Sequence, residues 1–234
     1  MKTFRFLPVV LMTLLVVFST CKKEEEPPAV ENQDASDLIV NSFESDVYGI
    51  SSQLEESIRL TEGLLTPSNC GFSGDSTINN HYGGVAVQYE YTFKWNYTIN
   101  CSATTPSVVE VGNTCSGNCS TSLLTSNFSS VIDWTIIGLS ASSTEYIVDG
   151  SYIRTGDFTS KRDAKHTFSG VLTIALSDVK MNKSTLVASS GTATISLVCH
   201  TGAGEEFTFT GSLVFNGNQN CTLTLEDKVY SIQL

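Results

Sequence analysis

The chain has 234 residues, with 24 Asp and Glu against 13 Lys and Arg, a formal net charge of −11. Such acidity argues against nonspecific nucleic-acid binding, which needs Lys and Arg to displace counterions from phosphate, and against charge-driven docking on an anionic lipid surface. The length suits one medium or two small domains.

Residues 1–20 read as a secretory signal peptide. Met1, Lys2 and Arg5 give a basic start, Phe6 to Phe18 an apolar run, and Ser19–Thr20 a small polar pair. The run is shorter than the roughly 20 apolar residues of a spanning helix, and Pro8 interrupts it. Cys21 follows, and then Lys22-Lys23-Glu24-Glu25-Glu26-Pro27-Pro28.

Phe18-Ser19-Thr20-Cys21 resembles the bacterial lipobox, with Thr20 where that motif has Gly, Ala or Ser and Phe18 where it has Leu. Cys21-Lys22-Lys23-Glu24-Glu25 is similar to the export signal of Bacteroidetes-type surface lipoproteins, in which a Lys and two acidic residues closely follow the Cys. The resemblance ends at Glu26. It implies that Cys21 is lipidated and becomes the mature N-terminus. It also implies that the acyl chains, palmitate among them, hold the protein in the outer membrane facing the cell exterior. Each buried methylene contributes about 0.8 kcal/mol and two chains give stable anchoring, so the folded part needs no membrane-binding surface of its own.

Without Cys21 the cysteines are Cys70, Cys101, Cys115, Cys119, Cys199 and Cys221, an even number that suits disulfides in an exported chain. Their connectivity stays open. Cys101, Cys115 and Cys119 are expected to share one loop stapled by at least one bridge. If 187–199, 206–215 and 221–225 are successive hairpin strands, Cys199 and Cys221 fall at opposite sheet ends. The Cys115–Cys119 spacing lacks the second Cys/His pair of a zinc site.

Residues 21–33 form a charged, proline-containing tether with no apolar period. Over 34–65 the spacing of Ile39, Phe43, Val47, Ile50, Leu54 and Ile58 predicts one amphipathic helix, with Gly49 its weak point and Gly63 and Pro67 its stop. Residues 66–234 form the β domain. From Val85 to Ile99 every odd position is apolar, including the aromatic ladder Tyr89, Tyr91, Phe93, Trp95 and Tyr97. Similar alternation recurs to the C-terminus, with turns at 180–184, Asn216-Gly217-Asn218 and Glu226-Asp227-Lys228. One-face alternation means antiparallel pairing. The expectation is a mainly β fold with one N-terminal helix. Its long antiparallel strands form a meander, strongly curved or partly closed as a barrel or sandwich, with the helix covering its apolar face.

Little in the sequence points to catalysis. His81, His166 and His200 form no zinc-helix motif, and Gly71-Phe72-Ser73-Gly74 lacks nucleophile-elbow spacing. Asp133 beside Trp134 is the most enzyme-like pair, and it reads as a wet-face carboxylate next to a core indole. Asp75-Ser76-Thr77 resembles the O-glycosylation motif of Bacteroidetes-type exported proteins. No cofactor or metal is expected. The first functional expectation is a non-catalytic binding or structural domain whose outward Ser, Thr and Asn faces meet an envelope protein or glycan. The second is a carrier holding a lipid or other apolar ligand between sheet and helix, against Phe43, Tyr91, Phe93, Trp95 and Trp134. A cavity of several hundred Å³ at those residues separates the two. A hydrolase is the third, and needs carboxylates or a Ser/His pair in one cleft.

Overall fold

The computed structural model describes residues 29–162 and 166–233. The segment read as a signal peptide, Cys21 and most of the segment read as a tether lie outside the described residues.

Two helices stand where the sequence suggests one. Helix α1 (Asn32–Phe43) and helix α2 (Ile50–Glu62) are separated by a 3₁₀ turn at Ser45–Val47. The turn ends on Tyr48 in the left-handed region (φ 56°), and the Gly49 N–H returns to the Glu44 carbonyl at 2.8 Å. A Cβ at Gly49 would stand 2.6 Å from that oxygen and 2.7 Å from the Ser42 carbonyl, so the chain folds back there only because the residue is glycine. The apolar stripe runs through the break unchanged, and so periodicity alone did not reveal it. At the start of α1, Glu31 and Asp34 form a reciprocal capping box.

Ten antiparallel strands follow in a simple meander: β1 (Ser73–Gly83), β2 (Gln88–Ser102), β3 (Thr105–Ser120), β4 (Leu124–Ile137), β5 (Glu145–Ser160), β6 (Thr167–Asn182), β7 (Ala188–Thr201), β8 (Glu206–Gly217), β9 (Asn220–Leu225) and β10 (Lys228–Gln233). The Glu226-Asp227 turn falls where expected, whereas Asn216 and Gly217 still belong to β8 and that turn lies at Asn218 and Gln219. Lys180 to Asn182 still belong to β6, so that turn lies further on. Strand β4 alternates buried and exposed without exception, as a sheet with one dry face must.

The sheet is open. β1 pairs only with β2 and β10 only with β9. It is also bent around the helices. Asp34 through Ile39 are six consecutive buried residues, whereas a helix lying on a flat sheet hides only one stripe. Phe43 meets Phe215 of β8 (ring centroids 6.2 Å apart) and Tyr48 meets Phe93 of β2 (4.8 Å). On a flat sheet those strands would be about 29 Å apart at 4.8 Å per step. A bulge at Val148/Gly150 contributes to the bend.

The helices follow one another along the strands. Near the start of α1, Asp34 meets His166 just before β6; at the end of α2, Glu62 accepts a 2.8 Å hydrogen bond from Tyr146 at the opposite end of the sheet. One continuous core joins both helices to the inward face of the sheet.

Candidate binding face and first-hairpin cleft

The residues proposed as ligand-facing are core. Phe43, Phe93 and Trp134 are fully buried, with Tyr91 and Trp95 nearly so, and neighbouring side chains fill the room around them. The space beside Trp95 measures about 10 Å³, and the one beside Phe215 about 70 Å³. Tyr89 and Tyr97, at the ends of the ladder, are half-buried.

Among the described residues one disulfide forms, Cys70–Cys101 (Cα–Cα 5.5 Å), joining the segment before β1 to the end of β2. The other four cysteines among the described residues, Cys115, Cys119, Cys199 and Cys221, are free and buried. Cys115 and Cys119 lie on strand β3 rather than in a loop. Four residues along a strand span about 13 Å, too far for the 7 Å limit of a bridge. Cys199 pairs across from Phe207 and Cys221 from Phe215, at opposite ends of β8, as the hairpin arrangement requires. Burial pushes the Cys115, Cys199 and Cys221 thiols up to about 12, so they are protonated and unreactive.

Two buried carboxylates of α1, Asp34 and Asp37, fasten it to the sheet. His166 Nδ1 lies 2.5 Å from Asp34 Oδ2, and Arg162 donates two hydrogen bonds to the Asp37 carboxylate at 2.6 and 2.8 Å. Further along, Arg154 is 2% exposed and donates to Asn41 Oδ1 (3.2 Å), Ser42 Oγ (3.0 Å) and Ser126 Oγ (2.8 Å). Its guanidinium lies 3.8 Å above the Phe128 ring. Among the described residues no carboxylate pairs with it. Sequence reasoning passed over Arg154, although it shares the inward phase of Tyr152 and Phe158. The His166–Asp34 pair ties the first turn of α1 to the residue before β6. Asp133 is exposed on the wet face, as expected.

The outward face carries a feature that only the register reveals. His81 of β1 stands opposite Glu90, Glu90 opposite Asn118, Asn118 opposite Asn127, and Asn127 opposite Asp157. The row continues through Ser169, His200 and Glu206. It therefore crosses eight strands with one exposed polar side chain on each, about 4.8 Å apart. His200 and Glu206 are in contact at 3.1 Å.

At the β1 end of this row the first hairpin forms a cleft of about 470 Å³, lined by Asn79, His81, Tyr82, Gln88, Glu90, Thr92 and Asn118 among others. Tyr82 is 55% exposed and its ring stacks on Tyr89 (5.9 Å), which stacks on the buried Tyr91 (4.9 Å). Burial, then Tyr82, raises the Tyr89 phenol above its ordinary value. Tyr82 stands opposite Tyr89 in the inward phase, so its ring lies on the other side of the sheet from His81, Glu90 and Asn118. Among the described residues no group of three His, Cys, Asp or Glu could hold a metal, and no helix is long and apolar enough to cross a membrane.

Comparison with protein-family models, curated proteins and solved structures finds no match for this chain.

Proposed function

We propose that this chain is a lipid-anchored protein of the bacterial outer membrane, held through Cys21 and facing the cell exterior, whose β domain is a non-catalytic binding module. The observation that carries the binding role is the exposed polar row ending in the first-hairpin cleft. Rigid strands fix the spacing of its side chains, which is what a recognition surface needs. The scaffold in this reading is a partly closed barrel, with α2 packed inside its curve. Side chains of α2 line spaces shared with Trp95 and Val111 on one side and with Phe215 and Cys221 on the other. A carrier would need a few hundred Å³ of apolar volume. The small spaces beside Trp95 and Phe215 support the binding module instead.

The test is a photo-crosslinking amino acid placed at Asn118, in the row, or at Thr194, exposed on the same face but remote from it. On intact cells the Asn118 probe should yield a discrete adduct and the Thr194 probe none. Identical patterns from both sites, or no adduct from either, would remove the row as a binding surface.

A further inference from the structure

The two edges of the sheet differ. β10 has six residues and begins on Lys228, the short and charged form that discourages further pairing. β1 has eleven residues, Ser73–Gly83, with no Lys, Arg or Pro among them. It pairs with β2 along its whole length without a bulge. The Ile99 N–H donates to the Phe72 carbonyl and the Gly84 N–H to the Val87 carbonyl, each at 3.0 Å. Even positions of β1 therefore bond to β2. Odd positions from Ser73 to Gly83 aim their N–H and C=O groups away from it, and among the described residues no other strand takes them up.

An antiparallel second copy of β1 fits this edge, and its side chains favour one register. When the two strands overlap over all eleven residues, Ile78 faces Ile78 of the second copy and Asp75 faces its His81. The pairing is symmetric, so the Asp75–His81 contact forms twice. Ser73 and Asn79 are already bonded to Thr98 and Thr92 of β2 (3.2 and 2.9 Å), whereas the exposed side chains of Asp75 and His81 have no such partner among the described residues. On the inward face Tyr82 stands opposite Gly74 of the second copy. The Tyr97 ring covers that glycine, whose Cβ would lie 2.4 Å from the Tyr97 hydroxyl, and Phe72 lies against Tyr97 (6.1 Å). Phe72 is 47% and Tyr82 55% exposed. The register brings these rings, from opposite ends of β1, within reach of each other. Sliding by two residues either way breaks the Asp75–His81 pair and sets Ile78 against Ser76 or Asn80.

We propose that the protein forms a two-fold dimer through β1, joining two ten-stranded sheets at that edge. The odd residues of the two strands exchange about twelve N–H···O bonds, and Asp75 of each copy bonds to His81 of the other. The proposal rests on neither the anchor nor the outward row.

The test is sedimentation of the full-length mature protein in mild detergent, which should give twice the mass of one chain. Thr77→Pro should give a monomer with a melting temperature close to the parent's, because β2 does not use the N–H it removes. His81→Ala should weaken association about fivefold. Ile78→Cys should form a disulfide-linked dimer on intact cells, since facing residues of a non-hydrogen-bonded pair have Cα atoms about 4.5 Å apart. Ser76→Cys and Asn80→Cys should not, because each would lie about 14 Å from its counterpart. The cross-link decides the matter even if the proline variant fails to fold. A protein that stays monomeric up to about 0.1 mM, or a dimer that Thr77→Pro leaves intact, would overturn the proposal. So would equal cross-linking from position 76 or 80, or an Ile78→Cys adduct with a different protein. None of these outcomes bears on the anchored binding module, which the Asn118 probe tests separately.

Discussion

Gly150 is the residue on which the bend of the sheet can be tested. It sits in the β5 bulge at φ 142°, opposite Trp134. A Cβ there would stand 2.1 Å from the Asp133 carbonyl oxygen, 2.8 Å from the Trp134 Cα and 2.9 Å from its ring. Two costs therefore combine in Gly150→Ala. Holding an L-residue in so sparse a backbone region costs about 1–3 kcal/mol, and overpacking against backbone and a buried indole adds about 1–3 kcal/mol. The sum, centred on about 4 kcal/mol, is a large fraction of a typical domain's 5–15 kcal/mol. It should lower Tm by about 8–16 °C at this size. Gly63→Ala is the control: φ is −65° and no atom would lie within 4 Å of the new Cβ. That change should be neutral, or stabilise by up to about 1 kcal/mol through the unfolded chain. Urea titration followed by fluorescence of Trp95 and Trp134 measures both. Gly150→Ala within about 0.5 kcal/mol of the parent, the range of a featureless surface change, would refute the geometry of the bulge.

Three further outcomes follow from the interior and its rim. Burial, then Asp46 and Asp37, raises the Glu44 carboxyl above its ordinary value. The folded state thus favours the protonated form, and stability is lost as pH rises through the folded pKa. Glu44→Gln should raise Tm at pH 7 and leave it unchanged at pH 3, as pH-dependent melts would show. Cys115, Cys119, Cys199 and Cys221 are buried thiols, so iodoacetamide should label none of them in the native protein and all four after denaturation, as counted by intact mass. Arg154→Ala should cost about 3 kcal/mol, because it opens a cavity and strips hydrogen bonds from Asn41 and Ser126. Arg154→Met should cost less than about 1.5 kcal/mol in the same urea titration, since it keeps the volume and removes a buried cation.

The strands were legible because their chemistry is local. In β4, Phe128, Ile132, Trp134 and Ile136 share one phase, and that phase is buried. From the odd positions of 85–99 the sequence located β2 and its dry face. The helical break was partly hidden. Gly49 was visible as a weak point, but the stripe from Ile39 to Ile58 stays in phase across Tyr48, so a turn and a continuous helix look alike in the pattern. Cysteine pairing was not legible, since it depends on register, and register placed Cys115 and Cys119 on one strand. For the same reason the polar row could not be seen: His81 and Glu206 are distant in sequence and become parts of one line only when eight strands align. Arg154 had a signal, an inward phase in β5, but nothing in the alternation distinguishes a buried cation from an error of phase.

The anchor at Cys21 is the central claim of the proposed function, because it would set where the domain works. The mass spectrum of the N-terminal peptide of the mature protein, taken from membranes, tests it directly. The account predicts a peptide that begins at Cys21 and carries a diacylglyceryl group, with or without a further acyl chain, and that is absent from a Cys21→Ser variant. A peptide beginning elsewhere, or an unmodified Cys21, would contradict it.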